Sequence, residues 1–280
     1  MEIKTIERDS AYYPSEWQEF SDKPQTLYAV GNIELLLKRK FTVVGSRKTP
    51  KTALALGETV AKELASKFTL ITGAADGGDS VAIKGALASG NIICVLAGGF
   101  SALPQGNLPL LKEVMKRGLV LALHPYETPV RNFSYTYRNK LIAVLGEGTL
   151  VLGAGEKSGA LITADFAQDF KKPVFAFPYP PNTPVGAGCN SLIKRGAHLT
   201  ESAKDVFERL GIEYIGQNST VSLTDTETQL LSLLKELREA HITEISAKSG
   251  MPVFKARAVL SALQVKGLIV EIGGNRFSSI

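Results

Sequence analysis

The sequence predicts an α/β protein, a doubly wound parallel sheet followed by a small winged helix, on three observations. From Phe41 onward, short β-branched apolar runs alternate with helix-period segments, the pattern of strands joined by crossover helices. The runs end in glycine or small polar residues, so the backbone turns sharply at the strands' carboxyl ends. After Leu210 the alternation stops, and a polar, aperiodic stretch leads into helices and a terminal glycine hairpin.

The stretch from Phe41 to Asp79 organises the rest. Strands Phe41 to Val44 and Phe68 to Ile71 flank a crossover helix over Thr52 to Lys67, with Leu54, Leu56, Val60, Ala61 and Leu64 near helical spacing and Thr49 and Pro50 marking its start. Polar and glycine residues thus gather at the carboxyl ends of neighbouring strands, where open α/β sheets hold ligands. Upstream, residues 1–40 read as a short extension: Tyr12, Tyr13, Trp17 and Phe20 pack an amphipathic turn, LYAVG from Leu27 is an edge strand positioned to join the sheet, and NIELLLK is helix-like. Downstream follow helix 79–89, strand 92–96, helix 107–117, strand 119–123, helix 135–145, strand 149–152, helix 158–170, strand 173–177 and helix 190–194. The sheet domain is read as 41–210, and 211–223 (GIEYIGQNSTVSL) as a linker. In 224–280, Thr224 caps a helix reaching Ala240, with Leu230, Leu231, Leu234 and Leu237 as its stripe. A helix, the Gly250 turn, a second helix and two strands joined by Gly273, Gly274 and Asn275 complete a winged helix-turn-helix.

A chain of 280 residues, 44% hydrophobic, can bury a full α/β core with room for a second small domain. The net charge of +5 favours an anionic partner without the charge density of a nucleic-acid coat protein. Cys94 and Cys189 have neither metal-ligand spacing nor the look of a disulfide framework, which fits a reducing cytoplasm. Residues 1–10 lack an apolar signal core, and no stretch approaches the ~18 apolar residues of a membrane span. A cytoplasmic location and no membrane partner are expected.

Ser46, Arg47, Gly73, Gly77, Gly78, Ser158 and Gly159 follow strands at or before helix starts, where unpaired N–H groups and the positive helix end attract phosphate. Any one of them is ordinary helix capping; their recurrence after several strands of one sheet favours a ligand. Arg47, directly after a buried strand, suits bidentate phosphate binding. In NFSYTYRNK (132–140), Phe133, Tyr135 and Tyr137 are interleaved with Arg131, Arg138 and Lys140, a mixture that stacks unpaired bases while neutralising backbone, although aromatics so spaced more often pack a core. Catalytic constellations are thin. His124, His198 and His241 have no evident Ser or Cys partner, no GxxxxGK[ST] loop exists, and Asp76, Asp79, Glu156 and Asp165 are too scattered to form an acid/base pair. Binding rather than turnover is expected, with no cofactor and no metal.

Together VVGSRKTP (43–50), LITGAADGGDSVAIKGAL (70–87), YRNKLIA (137–143), SGALITADFA (158–167) and GAGCNSLIKRGA (186–197) make the chain resemble the DprA (Smf) family of DNA-processing proteins, from about Leu27 to the C-terminus. The resemblance implies an extended Rossmann-like domain that binds single-stranded DNA, dimerises, and loads RecA recombinase during natural transformation, with a winged helix often appended. It further implies that Arg47 and the Gly73 to Asp79 loop touch phosphate, that Arg138 and Asn139 share that pocket, and that Tyr135 contacts base. The candidate strand-binding set is Ser46, Arg47, Lys48, Gly73, Ala74, Gly77, Gly78, Asp79, Arg131, Phe133, Tyr135, Arg138, Asn139, Ser158, Gly159 and Asn190. The chain departs from the family's loop pattern at Thr72, Gly78 and Ala82, and Asp76 adds a carboxylate there.

Two other functions compete. Related sheets serve nucleotide-cleaving phosphoribohydrolases, but AGGFSALPQGN (97–107) has the glycines of their loop without its glutamate. A transcription regulator would read duplex through the winged helix. There Lys235, Arg238, Lys248, Lys255, Arg257, Lys266 and Arg276 are nearly balanced by Asp225, Glu227, Glu236, Glu239, Glu244 and Glu271, which favours a protein-contact or regulatory role for that unit.

Overall fold

The computed structural model describes residues 2–18, 20–214 and 223–279. Its first part runs β1 (Lys4–Glu7), β2 (Thr26–Gly31), β3 (Lys40–Val44), α1 (Lys51–Leu64), β4 (Thr69–Thr72), α2 (Gly78–Leu87), β5 (Ile92–Leu96), α3 (Leu108–Arg117), β6 (Leu119–Ala122), α4 (Asn132–Leu145), β7 (Thr149–Val151), α5 (Gly159–Asp169), β8 (Val174–Ala176), α6 (Ala187–Lys194), β9 (His198–Leu199) and α7 (Ala203–Arg209). The strands form one sheet in the order β1-β2-β6-β5-β4-β3-β7-β8-β9. All pairings from β6 to β9 are parallel, while β1 with β2 and β2 with β6 are antiparallel.

Continuous apolar strands are the signature of a sheet covered on both faces, and the side chains divide accordingly. Along β5, Ile93 and Val95 join one cluster with Leu141 and Ile142 of α4, while Ile92, Cys94 and Leu96 join the other with Val60 and Leu64 of α1. From β3 the chain winds outward through β4, β5 and β6, then returns to lay β7, β8 and β9 on the other side. The order therefore reverses between β3 and β7, and a crevice opens at their carboxyl ends.

The first 40 residues belong more fully to the domain than a short extension would: the strand from Leu27, expected to join the sheet, runs as TLYAVG and pairs with β6, and β1 extends the edge beyond it. Trp17 is fully buried and donates its indole N–H to the Leu141 carbonyl at 3.0 Å. Tyr137 and Lys140 are turned toward the same segment: the Tyr137 hydroxyl donates to the Asp22 carbonyl, and Lys140 pairs with the Asp22 carboxylate at 3.0 Å. These two residues of the aromatic-basic run therefore hold the N-terminal segment. The strand β9 and helix α7 were not expected. Ile212 and Tyr214, read as linker, pack against the core, and the Tyr214 hydroxyl donates to Glu63 at 2.9 Å. The rest of that stretch, 215–222, lies outside the described residues.

Residues 223–279 have their own apolar cluster, with Leu230, Leu234, Ile245, Leu260 and Phe277. The elements are α8 (Asp225–Leu237), β10 (Glu239–His241), α9 (Ile242–Ser249), α10 (Val253–Val265), β11 (Ile269–Gly273) and β12 (Arg276–Ser279), with strand order β10-β12-β11. Thr224 caps α8 by a reciprocal box with Glu227. The helix stops at Leu237, short of Ala240, because Arg238 turns to φ 64° and the next residues pair with β12.

Candidate functional site

Loops after β3, β4 and β7 surround a cleft of about 870 Å³ at the point where strand order reverses. Ser46, Arg47 and Lys48 come from the first loop, Gly73 and Asp76 from the second, and Gly155, Lys157, Ser158 and Gly159 from the third. Helix α4 contributes Tyr135, Arg138 and Asn139, and Pro104, Gln105 and Gly106 close one wall.

The floor is built from buried charge. Asp79 is 5% exposed, and its two carboxylate oxygens accept the Gly45 N–H at 3.2 Å and the Ala75 N–H at 3.1 Å, tying the β3 and β4 loops together. Burial pushes this carboxyl above its ordinary value, against the pull of Arg138. Arg138 is equally buried. Its Nη1 donates to the carbonyls of Gly73 and, at 2.8 Å, Val95, while Nε donates to Asn139 Oδ1 at 3.1 Å. Asn139 passes the connection on, donating to the Gly159 carbonyl at 3.2 Å at the start of α5. One arginine thus links the ends of β4 and β5 to the third loop. A side chain on Gly73 would overlap this guanidinium, which accounts for the glycine.

Gly77 and Gly78 serve close packing between loops. A Cβ on Gly78 would strike the Gly45 backbone, and one on Gly77, whose φ is 88°, would strike Ser46 and Arg47. Ala74 is buried, with φ 60°. Asn107, absent from the expected set, clamps this turn: Nδ2 donates to the Ala74 and Ala75 carbonyls at 3.0 and 2.7 Å, and Oδ1 accepts from the Ser80 hydroxyl at 2.8 Å. Its signal was a lone asparagine ending the 97–107 segment, with no spacing to mark the clamp.

The rim differs. Arg47, Lys48 and Lys157 are exposed, and among the described residues none makes an ion pair or a side-chain hydrogen bond. Ser158 caps α5 by accepting the Ala160 N–H at 3.3 Å, so that helix start opens on the cleft. Tyr135 is half exposed, with the Arg138 guanidinium 5.9 Å from its ring centre. Lys157 was missed although it directly precedes Ser158 in GAGEKSG.

Six residues of the expected set do not line the cleft: Ala74, Gly77 and Gly78, in the packed turn after β4, and Arg131, Phe133 and Asn190, which stand elsewhere. Arg131 precedes α4, where its backbone N–H donates to Ser134 Oγ at 3.2 Å, and Phe133 is 65% exposed outside the cleft lining. The Asn190 side chain is spent on the Tyr179 backbone, accepting its N–H at 3.0 Å and donating to its carbonyl at 2.9 Å. The structure thus brings together Ser46, Arg47, Lys48, Gly73, Asp79, Tyr135, Arg138, Asn139, Ser158 and Gly159. Among the described residues, no group of three or more His, Cys, Asp or Glu could hold a metal ion, and no helix is long and apolar enough to cross a membrane.

Known proteins share this architecture. The DNA processing protein DprA of Bacillus subtilis (strain 168) is 36% identical over 212 residues, 74% of this chain and 71% of that protein. Its counterpart in Streptococcus pneumoniae is 35% identical over 197 residues, 69% of this chain and 70% of that protein. The X-ray structure of DprA from Streptococcus pneumoniae superposes with a TM-score of 0.70 at 31% identity, covering 76% of each chain. DNA processing protein A from Helicobacter pylori, whose structure concerns a single-stranded DNA binding mode, gives 0.69 at 26% identity, covering 75% of this chain and 96% of that one. Residues 4–211 match the family described as DNA recombination-mediator protein A, and with these relatives the chain belongs to that family.

Proposed function

We propose that the cleft binds single-stranded DNA, that the protein delivers the strand to RecA in the cytoplasm without covalent chemistry, and that two copies pair through the α/β unit, with residues 224–280 acting as a separate winged-helix unit for protein contact. The observation that carries the strand-binding reading is the rim: Arg47, Lys48 and Lys157 stand unpaired among the described residues around a cleft where strand order reverses. Cations held this way take phosphates in any sequence, and half-exposed Tyr135 offers a stacking face. Asp79 is committed to two amides, which leaves Asp76 as the one uncommitted carboxylate among the described lining residues and no acid/base pair, so the lining favours holding a polynucleotide over cleaving a glycosidic bond.

Fluorescence anisotropy with a labelled oligothymidylate tests this. If three phosphates are neutralised, affinity falls roughly 20-fold between about 50 mM and about 200 mM salt, with a preference for single strand over duplex. Equal affinity for duplex, or no salt dependence, overturns it. RecA delivery is tested by filament assembly on strand coated with a single-strand-binding protein, which this protein should accelerate.

A further inference from the structure

Six charged residues line the cleft: Arg47, Lys48, Asp76, Asp79, Arg138 and Lys157. Asp79 and Arg138 are buried and bonded to the protein. That leaves three rim cations and one exposed carboxylate, Asp76, in a site otherwise suited to anions. Asp76 accepts no backbone N–H, in contrast to Asp79 three residues later, and makes no ion pair among the described residues. Among the described residues it belongs to no group of three or more acidic, His or Cys residues that could hold a metal. Its position is nonetheless built. The turn beneath it is clamped by Asn107, and Gly106 opposite leaves room for it, since a Cβ there would overlap the carboxylate.

A lone carboxylate repels phosphate but accepts hydrogen bonds, so its partner in a bound strand is a base. Two parallel oxygens match two parallel donors. In an unpaired strand the Watson–Crick edges are free, and guanine alone presents adjacent donors there, N1–H and the 2-amino group. Adenine and cytosine offer one amino group each, and thymine offers N3–H flanked by two carbonyl oxygens that the carboxylate repels. Resting on the strand-binding reading above, we propose that Asp76 is a base-reading residue that gives this cleft a preference for guanine over thymine.

The experiment compares a thymidine oligonucleotide with versions carrying guanine, inosine or adenine at every third position. Spaced guanines should raise affinity about tenfold over thymidine alone, the size of one charge-assisted base contact. Inosine, which keeps N1–H but lacks the 2-amino group, should recover only about a third of that factor, and adenine, an equally good stacker, no more. In Asp76→Ala the guanine and thymidine strands should bind equally, and the thymidine strand about twofold tighter than to the wild type, because a negative charge has left. Gly106→Ala, which displaces the carboxylate without removing it, should also lower the guanine preference. Equal binding of all four strands by the wild type overturns this inference alone, as does a guanine preference that survives Asp76→Ala. If no strand binds, the strand-binding reading falls and this inference with it.

Discussion

The floor and the rim of the cleft both carry charge, under opposite conditions. In the floor, Arg138 and Asp79 are about 5% exposed; Nη1 of Arg138 is bonded to the carbonyls of Gly73 and Val95, Nε to Asn139, and the two Asp79 oxygens to the amides of Gly45 and Ala75. On the rim, Arg47, Lys48 and Lys157 are exposed without protein partners among the described residues. Buried ionic groups cost desolvation and survive only when fully hydrogen-bonded, so floor charge fixes where the loops stand. Rim charge is already solvated and remains available to exchange water for phosphate. Stability should respond to the floor, and affinity to the rim.

The largest expected effect is therefore Arg138→Ala. It leaves Asp79 as a buried charge without its compensating neighbour and unpairs the carbonyls at the ends of β4 and β5, at a cost of about 3–5 kcal/mol. Denaturant unfolding should show this as a shifted midpoint before any change in DNA binding is measured. A variant as stable as the wild type that has lost only DNA would move Arg138 to the rim. Asp79→Asn comes next. An amide places an NH₂ against one of two N–H donors, orphaning it for about 1–3 kcal/mol by the same measurement. Arg47→Ala should change stability by less than about 0.5 kcal/mol, while the salt slope of strand binding falls by about 0.7. An unchanged slope removes Arg47 from the phosphate path.

The rim was more legible in the sequence than the floor. Arg47 and the glycine loops announce themselves because a strand, a sharp turn and a helix start are local features, readable from composition over a few residues. The doubly wound pattern followed from the same local signals, strand by strand. Arg138 was marked only by the family motif YRNKLIA, which put it in the pocket with Asn139; its burial and the reach to Gly73 and Val95 come from tertiary packing. Gly77 and Gly78 were read as a phosphate cradle from their place before a helix, while their role as contact points between loops follows only from the tertiary packing. The N-terminal segment was read only as far as its edge strand, because its partners lie far along the chain, β2 against β6 and Trp17 against Leu141. Asn107 illustrates the same limit, since its clamp on the 74–75 carbonyls spans more than 30 residues.

The smallest effect is on pH, and it tests how completely the floor neutralises itself. Burial lowers His124 and His198 below the ordinary histidine value, with Arg209 adding to the effect at His198, whose Nε2 accepts the Arg209 Nε–H at 2.8 Å. A histidine depressed in the folded state contributes stability that is full above the unfolded value of about 6.5 and lost as pH falls through the folded one. Asp79 has the opposite sign. A carboxyl raised by burial favours the fold most below its unfolded value and loses that contribution as pH rises. Melting temperature should therefore fall modestly from about pH 7.5 to about pH 5.5, with Asp79 offsetting part of the histidine loss. The double variant His124→Gln, His198→Gln should flatten the fall, and Asp79→Asn should steepen it. If Asp79→Asn leaves the slope unchanged, Arg138 and the two amides keep the carboxylate ionised across this range, and the floor behaves as a closed pair whose burial is fully offset within the fold.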